Sequence, residues 1–461
     1  MRPTFGAGSS AWLEHPTDNR EAKGSNPFRP ISSNQPSIEP LISDACQDSS
    51  ELAARKRLAA YLISPKQEEA PMNRKGVCFD VGRVLMGADW RPNFNPRLVH
   101  RELEIIKRDL HCNAVRICGL DIDRLMTASA DALAQGLEVW LSPEMWDRSQ
   151  DATIEYLARA AGRAEELWQR WPGKLVFSVG SELTLFSQGM IEGKNVFDRM
   201  SRPSTWGEIA AGKHNGPLNA YLSNLSEAAR KSFRGPLTYF SLPFETVDWE
   251  PFDFIGVDHY RDARSKDSYG SVLRKYDVFG KPVIIGEFGC CTFRGADLLG
   301  ANGFMISFGM MEGLLGPNQK IPKMFLDMAH VPPRVDGHYI RDEELQAREL
   351  VDQLGVLDAA GVEGAFVQTF VVPNSPYHSD PRYDTDMANF SLVKSYPEAE
   401  TAEEFRRQAI RGAKEMMGVD LDPHTLDGFS GPMGEHGVTY PDLPWEPKES
   451  FRAVAKSYAE H

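Results

Sequence analysis

Two glutamates stand at the ends of two strand-like runs, and there this sequence offers chemistry. Residues 281–289 read KPVIIGEFG: four apolar residues, three of them β-branched, lead to Glu287. Residues 174–182 read KLVFSVGSE and close on Glu182. Runs of this kind form strands buried on both faces, so each would hold its terminal carboxylate on rigid backbone. One glutamate so placed would mean little. Two on a shared site suggest acid/base work, with one carboxyl carrying a proton and the other ionised.

The elements that must position them follow from Lys75 onward. Strand-length apolar runs occur at 77–81, 113–118, 137–143, 175–180, 236–242, 253–260, 282–288 and 364–370, most of them separated by helix-length amphipathic stretches such as RELEIIKRDL and IDRLMTASADALAQG. Eight strands alternating with helices predict an α/β protein with a parallel sheet, and a closed (β/α)8 TIM barrel is the expected form. An open doubly wound sheet is the alternative, but no GxGxxG follows the first strand. Residues 1–74, rich in Pro, Ser, Asn and Gln, read as a largely disordered extension with one helix over 50–62. The catalytic domain is expected over 75–461. Within it, 397–438 reads as an insertion between strand 8 and its helix, with a charged helical stretch at 398–418. The closing segment places Phe451, Val454 and Tyr458 at helical spacing after Pro447 and Lys448, as expected of the helix that seals a barrel. The long loop at 290–340, carrying FMISFGMMEGLL, is expected to cover a site.

In such barrels the C-terminal strand ends build the site. Those ends offer Asp80, Arg116, Glu144 with Trp146 and Asp147, Ser181 with Glu182, then Asp258, His259 and Tyr260, Glu287, and Gln368. Tyr377, His378, Asp380, Tyr383 and Asp384 lie just beyond. Aromatic faces (Trp146, Phe288, Phe370, Tyr383) among carboxylates and amides suit a sugar ring, whose C–H faces stack while its hydroxyls pair. Cleaving a glycosidic bond takes one carboxyl to protonate the leaving oxygen and another to attack carbon or activate water. Arg116 and Tyr260 would keep Glu287 ionised as a nucleophile, while the apolar Val179 and Leu183 would favour a proton on Glu182. Glu144 is either a substrate contact or half of a structural ion pair. Asp80 either binds a hydroxyl or pins the loop after strand 1. His259 reads as a hydrogen-bonded barrel residue more readily than as a catalyst, and is kept among the substrate contacts.

Composition bounds the partners. The formal charge is −14, with no offsetting basic stripe, which argues against nucleic acid and anionic membranes. No run reaches the length of a membrane span, and the N-terminus lacks the apolar core of a signal peptide. Six cysteines (46, 78, 112, 118, 290 and 291) form no CxxC pair and read as reduced thiols of a cytoplasmic protein. The eleven histidines show no metal-ligand spacing. Neither a metal nor a cofactor is expected, and the oligomeric state is not legible.

Four motifs in order, NAVRI, GSE, DFIGVDHY and KPVIIGEFG, resemble the clan-A (4/7 superfamily) glycoside hydrolases, from Lys75 to the end of the chain. The resemblance implies a TIM barrel with Glu182 as acid/base and Glu287 as nucleophile. It also matches the clan's strand-2 arginine to Arg116 and its strand-6 tyrosine to Tyr260. In a retaining member the two carboxyls would stand about 5 Å apart. Two positions depart from the pattern. Ser181 stands where the clan has an asparagine that holds the sugar 2-hydroxyl. Gln368 and Phe370 occupy the region of the strand-8 tryptophan that floors the subsite. The stretches RELEIIKRDLHCNAVRI, GSELTLF and TYPDLPWEPKESFRAVA also resemble microbial proteins sometimes labelled abortive-infection proteins.

The leading expectation is therefore a retaining glycosidase or transglycosidase acting on a small soluble glycoside or glycoconjugate. A sugar- or metabolite-binding pseudoenzyme is the alternative, and a lyase or isomerase using the same carboxylates is a third.

Overall fold

The computed structural model describes residues 72–85, 88–307, 335, 337–396 and 437–460. Eight parallel strands close into a barrel: β1 Arg74–Asp80, β2 Ala114–Gly119, β3 Glu138–Pro143, β4 Leu175–Ser181, β5 Leu237–Ser241, β6 Ile255–Asp258, β7 Val283–Phe288 and β8 Gly364–Val367. They run round the barrel in chain order. The ring shuts where β8 pairs with β1, Arg74 opposite Gly364 and Val77 opposite Val367. The expected strands are all present, and the closed barrel replaces the open-sheet alternative. The expected disorder of 1–74 lies outside the described residues up to 71, as do the helix at 50–62, the charged stretch at 398–418 and nearly all of the 397–438 insertion.

Local chemistry sets the helices. α1 (Pro96–Arg108) begins with Asn95 accepting from the Arg97 amide and with proline at its first position. α2 (Ile122–Ala134) is capped by Asp121 and α3 (Gln150–Arg170) by Ser149. α4 (Asn215–Arg230) precedes β5, and α5 (Glu343–Ala359) precedes β8. The helical alternation lapses twice: 242–254 is a loop, and only 3₁₀ helices, Lys266–Ser268 and Ser271–Phe279, join β6 to β7. α6 (Glu449–Glu460) buries Phe451, Val454 and Tyr458, the three residues spaced for that purpose. The Tyr458 hydroxyl donates to Gly76 O at 2.9 Å, so the last helix is tied to the first strand.

The core has two layers. The outer one lies between strands and helices and takes the apolar stripes of α1 (Val99, Leu103, Ile106) and α2 (Leu125, Ala128, Ala132). The inner one fills the barrel with Cys78, Ala114, Trp140, Val176, Phe240, Ile284 and Phe366. Trp140 lies 4.9 Å from the Phe254 ring and 5.6 Å from Phe366, which plugs the N-terminal end. Glycines make room for these rings. A Cβ at Gly76 would stand 2.3 Å from the Phe366 ring, and one at Gly286 would stand 2.2 Å from Phe240 and 2.5 Å from Asp258 Oδ1. Above Phe240 the filling becomes charged, and there the site begins.

The loops over that end are tied together by buried charge. Lys448, fully buried just before α6, donates to Asp386 at 2.8 Å and to the Thr292 and Ser391 hydroxyls, both at 3.1 Å. Arg341 pairs with Asp386 at 2.7 Å and Asp384 at 2.9 Å.

Candidate active site

Glu287, the fifth residue of β7, is 9% exposed, and both carboxyl oxygens are occupied. Its Oε1 accepts from Arg83 Nη2 at 2.7 Å and faces Arg116 Nη1 at 3.3 Å; its Oε2 accepts from the Tyr260 hydroxyl at 2.9 Å. Arg116 is fully buried on β2. It lies 3.8 Å above the Phe240 ring and pairs with Asp258 at 3.0 Å and Glu144 at 3.4 Å. Arg83 bridges Glu287 to Glu144, whose Oε2 stands 2.7 Å from its Nε. Glu144 is thus engaged in an ion pair, with Ser142 donating to it at 3.1 Å as well. Asp80 turns the chain after β1: its Oδ1 accepts from the amides of Gly82 at 2.7 Å and Arg83 at 2.8 Å. Of the two roles open to Asp80, this hydrogen bonding is that of the loop anchor.

Glu182 follows β4 directly, in left-handed backbone with φ of 52°. A non-glycine residue there costs about 1 kcal/mol, so the surroundings must impose it. They do so through three bonds. The Glu182 amide donates to Phe240 O at 2.9 Å, the Leu183 amide to the Tyr239 hydroxyl at 2.9 Å, and the Thr184 amide to Glu245 at 3.2 Å. The Glu182 side chain caps no helix amide and retains some accessible surface. Beside it, Ser181 turns its hydroxyl inward and donates to Asp258 Oδ2 at 2.6 Å.

These neighbours set opposite ionisation for the two glutamates. Burial would lift Glu287, but Arg83 and Arg116 outweigh it and hold its pKa below the ordinary glutamate value. Burial, reinforced by the charges of Asp258, Glu287 and Glu245, raises Glu182 well above that value, with Arg116 opposing. Burial also lifts Asp258 and Glu245 to about 7 each and Asp80 to about 6. These surroundings favour the anion on Glu287 and the protonated form of Glu182.

Of the residues expected at this site, Glu287, Arg116, Glu144, Tyr260 and Asp80 join one network with Arg83. Ser181 and Glu182 adjoin it through Asp258. Trp146 borders the network: Arg83 lies 5.8 Å from its ring and 5.7 Å from that of Trp90, and Trp146 stacks on Phe186 at 4.5 Å. Gln368 closes β8 with its Oε1 buried and, among the described residues, without a donor. His259 faces the other way. Its ring lies 4.3 Å from Tyr269 in parallel stacking and bonds Tyr269 O at 2.8 Å, because alternation along a strand sends it outward between Asp258 and Tyr260. Tyr383 packs on His378 and Arg382 in the β8 loop, away from the carboxylates. Phe288 and Phe370 are wholly buried in the outer core, so neither presents a face to a ligand.

Three participants escaped sequence reasoning. Arg83 lies past the strand end in a loop without periodicity. Glu245 sits in the helix-free 242–254 loop. Asp258 was noted at its strand end without a role, although its spacing of two from Tyr260 puts both on one face. Among the described residues no three His, Cys, Asp or Glu side chains converge as metal ligands.

No family model and no curated protein matches this sequence. Solved structures similar to it include a GH113 β-1,4-mannanase at 15% identity and a TM-score of 0.44, covering 84% of this chain and 99% of that one. A GH113 β-mannanase from Alicyclobacillus acidocaldarius shares 15% identity at 0.42, with 73% and 97% covered. A GH5-4 broad-specificity endoglucanase from Clostridium longisporum shares 13% at 0.40, with 75% and 97% covered. None of these likenesses says what this site acts on.

Proposed function

We propose that this barrel is a retaining glycoside hydrolase acting on a small soluble glycoside or glycoconjugate. The observation that carries the reading is the contrast between two glutamates mounted at the ends of β4 and β7: Arg83, Arg116 and Tyr260 surround Glu287, whereas burial beside other carboxyls favours a proton on Glu182. Glu182 protonates the glycosidic oxygen as its bond to the anomeric carbon breaks, while Glu287 attacks that carbon and forms a glycosyl ester. Glu182, now ionised, takes a proton from water; the water attacks the ester-bound carbon and Glu287 leaves as carboxylate. Tyr260 and the two arginines favour the charged form of Glu287 before it attacks and again as it leaves.

One observation favours the second reading, a sugar-binding pseudoenzyme. Ser181, where the clan's asparagine would hold the sugar 2-hydroxyl, donates to Asp258 instead. The two readings part on a panel of aryl glycosides followed by NMR of the first-formed anomer. Retention of configuration, with a 2-fluoroglycoside trapped on the Glu287 peptide, supports the hydrolase. Inversion removes the covalent step. Calorimetric sugar binding without product or trapped ester would favour the pseudoenzyme.

A further inference from the structure

We propose that Arg83 is the positioning residue of this site: it anchors Oε1 of Glu287 and leaves Oε2 as the attacking atom. The inference rests on the hydrolase reading for the word attacking, and on geometry for the rest. A carboxylate offers about four acceptor directions. On Oε1 one is taken by Arg83 at 2.7 Å and the other is faced by the Arg116 guanidinium in an ion pair at 3.3 Å, and on Oε2 one is taken by Tyr260 at 2.9 Å. The direction left open is on Oε2.

Arg83 is better placed than Arg116 for this task. Arg116 divides itself among Asp258, Glu144 and Ser142 and lies flat on Phe240, and its approach to Glu287 is the longer. Arg83 makes the short charge-assisted bond, the stronger kind. Its own position is fixed from three sides. Asp80 holds its backbone amide, Glu144 accepts from Nη2 at 3.1 Å, and Trp90 and Trp146 flank the guanidinium. Its side chain is only 4% exposed, so water screens the pairing little. The other titratable groups facing Glu287 are Cys78 from β1, Arg116 from β2, Glu182 after β4, and Asp258 and Tyr260 from β6. Of these only Arg116 is a cation. Removing Arg83 therefore leaves Glu287 among carboxyls with a single, shared counter-charge.

The test is a carboxyl carbon-13 NMR titration of Glu287 in the full chain, its resonance assigned with Glu287→Gln. Arg83→Gln should raise the Glu287 midpoint by about one to two pH units. Arg83→Lys should land between, since an ammonium keeps the charge but lacks the planar guanidinium that sets Nη2 between Glu287 and Glu144. On any aryl glycoside that wild type cleaves, the acid limb of kcat/KM should move up with the midpoint, and kcat should fall more than KM changes. An unmoved midpoint in folded Arg83→Gln overturns the proposal. If that variant does not fold, an unmoved midpoint in Arg83→Lys does so. A midpoint that moves in a protein cleaving no glycoside upholds the anchoring role and defeats the hydrolase reading instead.

Discussion

Glu182 and Glu287 carry the same side chain, and what separates them is their company. Two guanidiniums and a phenol surround one; three carboxyls surround the other. Two expectations follow at this scale. Glu287→Gln should lower kcat/KM by about 10⁴-fold or more, measured on the best aryl glycoside found, because in the proposed mechanism its carboxylate forms the ester. A variant within tenfold of wild type would remove Glu287 from the chemistry. The pH profile should be bell-shaped. Its acid limb is the ionisation of Glu287, held below the usual glutamate value, and its alkaline limb is the loss of the Glu182 proton, displaced well upward. Glu182→Gln should abolish the alkaline limb for substrates whose leaving group needs no protonation; persistence of that limb would assign it elsewhere. At this scale the sequence was informative wherever a residue ended a buried strand. Glu182, Glu287 and Tyr260 were picked out as candidates at or just past a strand end, and Arg116 from within β2. Arg83 was not, because a loop side chain reaches its partner through a fold that no local pattern encodes. His259 bonds and stacks with Tyr269, in keeping with its reading as a hydrogen-bonded barrel residue, since period-two alternation assigns Asp258 and Tyr260 to one face and His259 to the other.

Elements position these residues by sacrificing side chains elsewhere. Gly286, between Ile285 and Glu287, leaves space for Phe240, on which Arg116 lies. Gly286→Ala would push a methyl into that ring and into Asp258. Such overpacking should cost about 1–3 kcal/mol in denaturant melts and lower activity as Arg116 shifts. Unchanged stability and activity would show that the inner layer has slack it is not expected to have. All eight strands and the sealing helix were legible as period and length. The absent helix between β5 and β6 was not, since the run at 242–254 needs only to span the gap between neighbouring strands. Glu245 was hidden with it, a buried carboxyl under the turn that presents Glu182.

At the scale of the molecule, burial of carboxyls gives stability a definite pH dependence. Asp80, raised to about 6, and Asp258 and Glu245, each raised to about 7, bind protons in the folded state at pH values where the unfolded chain has released them. Their contribution is complete below the ordinary carboxylate range near 4 and is lost as pH rises through about 6 to 7. Glu287 and Asp386, held low by their cations, act in the opposite sense, with a contribution present above the ordinary range and lost on acidification through their own pKa. Thermal melts from pH 4 to 9 should therefore show the highest Tm near about pH 5, with a decline toward pH 8. The net charge of −14 adds to that decline by self-repulsion. A Tm that is flat or rising from pH 5 to 8 would contradict the burial of these groups.

The junction of β8 with β1 also carries a consequence for synthesis on the ribosome. Arg74 pairs with Glu363 across 289 residues of chain, so β1 emerges early and waits for the partner that closes it. At about 5–20 residues per second that wait is roughly 15–60 s. Throughout it β1 presents an unpaired edge of apolar strand, a template for another chain. Translation halted before Val367 would release fragments bearing that open edge, and these should aggregate or be degraded instead of accumulating as soluble partial barrels.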